Sequence, residues 1–133
     1  MMPSVLVAVA LTGMAFAATP ASAAAPSLDK IYQDALGCRV AAQAVLMSLK
    51  KAQPKNADEA KALDTVASTE TFYRKLSLLL GRTLGKRDPL IGMDVANLQL
   101  ALAQKILTTP NAMAEMLNKT KTCGDAISEA EKA

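Results

Sequence analysis

Residues 28–52 read LDKIYQDALGCRVAAQAVLMSLKKA, and their spacing decides the fold class. Leu28, Ile31, Ala35, Cys38, Ala42, Val45 and Leu49 recur at alternating intervals of three and four. On an α-helix that rhythm lines the apolar side chains along one stripe, the seam by which a helix joins a bundle. Ser27 stands where an N-cap is needed. Asp29 in the first turn and Lys50 and Lys51 in the last complement the helix dipole.

The same reading extends along the chain. Breaks at Pro54, at Gly85 to Pro89 and at Thr109-Pro110 separate three further segments of helical length, and none shows a strand-like alternation. The second segment opens on a capping box, Asn56 with Glu59. Its stripe is Leu63, Val66, Tyr73, Leu76 and Leu80, widened by Phe72 and Leu79, and Gly85 is the expected C-cap. In the third, Asp88 is the expected N-cap and Pro89 the first helical residue. Its main stripe is Ile91, Val95, Leu98, Leu102 and Ile106. A second stripe, Met93, Ala96, Leu100, Ala103 and Leu107, lies roughly 150° away. The fourth is expected to start at Thr109-Pro110, with Met113, Met116, Leu117, Thr120, Cys123 and Ile127 inward. Gly124 would permit close approach to another helix.

Composition sets the outer bounds. The chain has 133 residues, 51% of them hydrophobic, which is one small domain and too apolar for a disordered chain. The formal charge is +3 and there is no His or Trp. Without His there is no Ser-His-Asp or Cys-His nucleophile system and no His-ligated haem. Val5 to Ala18 carries no charge and has the length of a signal-peptide core rather than a membrane span. Ala21-Ser22-Ala23 then supplies the small residues of a cleavage site. Residues 1–23 are therefore expected to be a signal peptide, and residues 24–133 a single helical domain in the periplasm or outside the cell.

Export bears on the cysteines. Cys38 and Cys123 are the only pair, and in an oxidising compartment a pair is expected to be a disulfide. In an up-down-up-down four-helix bundle the first and last helices are antiparallel neighbours. At 1.5 Å per residue both cysteines then lie within roughly 12–15 Å of the same end. The expected fold is all-α: an up-down-up-down bundle stapled between helices 1 and 4. Such a bundle resembles the periplasmic b-type cytochromes in architecture. Those need an axial His, so no haem is expected, nor any other cofactor.

Four features are candidates for function. Arg74, Lys75, Arg82, Lys86 and Arg87 form a basic run that could meet an anionic partner, with Asp29, Asp34, Glu129 and Glu131 expected to neutralise part of it. Met113 and Met116 share a helical face, where thioethers could hold Cu(I) but more ordinarily fill a core. Glu70 on the inner arc of the second helix could pair with Arg39. Met93, Leu100 and Leu107, one heptad apart, could form an association surface, for a homodimer or for another protein. Nucleic acid is not expected, since export removes the usual target and aromatic residues for stacking are few. The expected function is non-enzymatic, acting through protein or cell-envelope contacts. A small-ligand or metal carrier is the alternative and a helical enzyme a distant third.

Overall fold

The computed structural model describes residues 25–132. The expected signal peptide 1–23 and its cleavage point after Ala23 lie outside the described residues. Within them the chain forms α1 (Leu28–Ala52), α2 (Ala57–Thr83), α3 (Asp88–Thr108) and α4 (Ala112–Lys132), with no strand. No described helix is long and apolar enough to cross a membrane.

The ends of the first two helices follow from their caps. The Ser27 hydroxyl accepts from the Lys30 amide at 3.1 Å, and the Asn56 side chain accepts from the Glu59 amide at 2.9 Å. The Glu59 carboxylate reaches back to the Lys55 amide at 3.0 Å, completing the box one residue earlier than expected. α2 ends in a Schellman motif. Gly85 takes φ +83°, the Lys86 amide donates to the Gly81 carbonyl and the Gly85 amide to the Arg82 carbonyl.

Two helix starts differ from expectation. Asp88 is the first helical residue of α3, not its cap, and the cap position falls to Arg87. The Asp88 carboxylate instead receives two hydrogen bonds from the Arg82 guanidinium, at 2.9 and 2.7 Å. An ion pair with two parallel hydrogen bonds outcompetes a cap. Thr109 belongs to the end of α3, and Asn111 takes φ 67°, so α4 starts at Ala112 rather than at Pro110.

α1 is the centre of the fold. It buries Ala35, Ala42 and Val45 from its seam and Tyr32, Leu36 and Val40 from a neighbouring stripe. Leu28 and Ile31 at the head of the seam are instead exposed. One core cluster joins Tyr32, Leu36 and Val40 to Ile91 and Val95 of α3. A second joins Ala35 to Tyr73 and Cys123, and a third joins Ala41 and Val45 to Met116. Moving up α1, its neighbours on α2 fall from Gly81 to Ser77 to Val66, and on α4 from Ile127 to Cys123 to Met116. That descending order is the one antiparallel neighbours produce.

Cys38 and Cys123 are disulfide-bonded, with Cα atoms 5.9 Å apart, and link α1 to α4 as expected. Beside them the Tyr73 hydroxyl donates to the Cys123 carbonyl at 2.8 Å, tying α2 to the same point. α2 and α4 approach closely there. A Cβ added at Gly124 would stand 3.2 Å from the Thr69 hydroxyl. On α2 the inward positions are small or polar: Thr69, Glu70, Ser77 and Gly81 are buried with Tyr73, while Phe72 and Leu79 face outward.

Candidate functional site

The basic run does not form a patch of unopposed charge. Arg74 pairs with Glu70 at 2.9 Å, Arg82 with Asp88 at 2.7 Å and Lys86 with Asp94 at 3.4 Å. The neutralising acids are therefore not Asp29, Asp34, Glu129 and Glu131, but the ones nearest along the helix or across the α2–α3 turn. Local pairs win because little chain entropy separates them. Asp88 is held below the usual carboxylate range by its hydrogen bonds from Arg82. Lys75 and Arg87 stay exposed without an ion pair among the described residues.

Lys86 also stands over the Tyr32 ring, 5.5 Å from its centre, and the Tyr32 hydroxyl donates to Asp94 at 2.8 Å. Burial and that carboxylate acceptor both push the Tyr32 hydroxyl well above the ordinary tyrosine range. The group thus locks α1 to the head of α3 in a neutral form and offers no acid or base near neutrality.

Glu70 is buried, but its partner is Arg74 on the next turn rather than Arg39. Arg39 donates to the Ser77 hydroxyl at 3.2 Å, and the Ser77 hydroxyl donates in turn to the Arg74 carbonyl at 3.0 Å. Desolvation lowers the Arg39 guanidinium from its usual value, while Glu70 opposes that. No fully buried polar side-chain atom among the described residues lacks a partner, and the cluster serves as a cross-brace between α1 and α2. Among the described residues no group of three His, Cys, Asp or Glu side chains converges as metal ligands would.

Two grooves remain. One runs between α2 and α4, lined by Thr65, Thr69, Thr120 and Ser128 with Phe72 and Ile127. Each of those four hydroxyls donates to the carbonyl one turn back. The other runs between α1 and α3 and is mainly apolar, with Val40, Ala44, Met47, Leu102, Ile106 and Met113 on its walls. It brings Met47 and Met113 to one groove, whereas Met116 is buried in the core. The sequence carried a signal for this groove that seam spacing overlooks. Tyr32, Leu36, Val40, Ala44 and Met47 form a second stripe on α1, at intervals of four, four, four and three.

The outer face of α3 is the largest departure from ordinary burial. Met93, Leu100 and Leu107 are 59%, 62% and 84% exposed. They share that face with Ala96 and Ala103, also exposed, while Ile91 and Val95 face the core. The fold and its staple define a disulfide-linked, all-α helical bundle. No family model, no curated protein and no solved structure matches this chain.

Proposed function

We propose that this is an exported, non-enzymatic protein that works by binding a protein or envelope partner through the outer face of α3. The observation that carries the reading is the exposure of Met93, Leu100 and Leu107 in a row along one helix. Large and small side chains alternate there as Met93, Ala96, Leu100, Ala103 and Leu107, at the spacing a partner helix interlocks with. The flanking positions Asn97, Gln99 and Gln104 are neutral, so a second copy of the same face would meet no like charge. A homodimer through paired α3 helices is the simplest assembly of this kind.

Export rests on the uncharged run Val5 to Ala18 and the small residues before Ala24, and the disulfide fits an oxidising compartment. The order of neighbours along α1 supports the up-down-up-down path, which sets α3 at a corner of the bundle with one side unpartnered. Leu100→Glu tests the proposal. Light scattering should shift toward monomer while thermal unfolding stays nearly unchanged. A wild-type chain that is monomeric at all concentrations, with no protein captured by it that Leu100→Glu fails to capture, would overturn it.

A further inference from the structure

The core between α1 and α3 does not end; it opens. On α1 the stripe Tyr32, Leu36, Val40 is buried, but the same stripe continues to Ala44, half-buried, and Met47, exposed. On α3 the facing stripe starts at Ile91, 1% exposed, passes through half-buried Leu98 and Leu102, and reaches Ile106 at 36%. Both stripes stay apolar to their ends while burial declines along both. The outcome is the apolar groove, of about 760 Å³, whose inner end is core.

The polar groups of the groove sit at defined places. The Gln99 amide donates to the Gln43 carbonyl oxygen across it. Ser48 and Lys51 stand at the outer end, and Lys51 is the only charged side chain on the lining. Lys51 has no ion pair among the described residues. Glu115, in the first turn of α4, is paired with Lys105 at 2.8 Å. The groove therefore presents an apolar wall of aliphatic and thioether side chains with one unpaired cation at its mouth.

We propose that this groove binds a single-chain fatty carboxylate, its tail between Ala44, Met47, Leu102 and Ile106 and its headgroup at Lys51. The charge at the mouth selects an anionic head, and the wall selects a hydrocarbon tail. Val40 to Lys51 spans eleven residues of helix, about 16 Å at 1.5 Å each, the reach of an acyl chain of middle length. Met47 and Met113 are unbranched and polarizable, so they conform to a chain without a fixed shape. This site adjoins the outer face of α3 at Ala103, but the large ridge residues Met93, Leu100 and Leu107 are not on its lining.

The test is calorimetric titration of the purified protein with octanoate, decanoate, dodecanoate and hexadecanoate below their micelle concentrations. Affinity should rise about fourfold for each methylene seated, then stop rising once the tail exceeds the groove. Dodecanol should bind more weakly than dodecanoate, and Lys51→Ala should abolish that difference. Ala44→Phe and, at the more exposed rim, Ala103→Phe should each block binding, with circular dichroism verifying that both fold. Leu100→Glu should leave binding unchanged, which separates this site from the α3 face. Absence of saturable dodecanoate binding would overturn the proposal. So would binding that both Phe variants leave intact, or a preference for carboxylate that survives Lys51→Ala.

Discussion

α1 and α3 are both rich in apolar residues, yet they do opposite things with them. α1 buries seven side chains, six of them on two adjoining stripes, and packs most extensively against α2 and α4. α3 buries only Ile91 and Val95, although fewer charges interrupt it. Burial is thus set by position in the fold, not by helix composition. A central helix finds partners for a wide arc, while a corner helix finds partners for a narrow one and leaves its remaining apolar residues to solvent or to another molecule.

The largest expected effect concerns the covalent tie that α1 has and α3 lacks. Removing the disulfide, by reduction or as the double Cys38→Ala, Cys123→Ala variant, should cost about 4–5 kcal/mol if loop entropy dominates. Denaturant unfolding with and without reductant measures it. A loss under about 1 kcal/mol would mean that α1 and α4 hold together by packing alone. Next in size is a paired truncation. Leu36→Ala on α1 empties a fully buried site and should cost about 3 kcal/mol, while Leu107→Ala on α3 should change stability by no more than about 0.5 kcal/mol. Equal effects from the two would erase the contrast between the helices.

The smallest effects come from glycines on the two sides of α3. A Cβ at Gly81 would lie 2.5 Å from Ile91 Cδ1 and 3.0 Å from Tyr32 Cε1, where α1, α2 and α3 meet. Gly81→Ala should therefore destabilise by about 1–3 kcal/mol. Gly92, on the exposed side of α3, has nothing within 4 Å of the same position, and Gly92→Ala should stabilise by about 0.5–1 kcal/mol. Melting temperatures of the two variants should thus move in opposite directions.

Much of this architecture was legible from spacing. The extents of α1 and α2 follow from apolar rhythm and from capping residues, because both act over a single turn. The cysteine pair needed only the export argument and a count. What escaped involves competition between partners. Asp88 reads as a cap until Arg82 is near enough to claim it. Glu70 reads as a partner for Arg39 until Arg74, one turn away, takes both its oxygens. Tyr32, Leu36 and Val40 were hidden because the seam beside them already satisfied a bundle helix, and only the presence of two neighbours explains a second buried stripe. For the site, the exposed ridge of α3 follows from an apolar arc too wide for one core. The α1–α3 groove does not, because where a core ceases to close depends on how the helices sit, not on either sequence alone.

The disulfide has a mechanical consequence as well. It joins positions 85 residues apart, near the middle of α1 and the middle of α4, and so closes most of the chain into a ring. A pull on the two ends of the described chain would strip the stretches outside Cys38 and Cys123, with Tyr32 and Leu36 among them, before the load reached the sulfur–sulfur bond. The core of α2, α3 and the middle of α1 lies inside that ring and would carry little of the tension. A protein tethered at one end and drawn at the other would keep α3 and the Val40–Lys51 wall of the groove within one covalently closed segment.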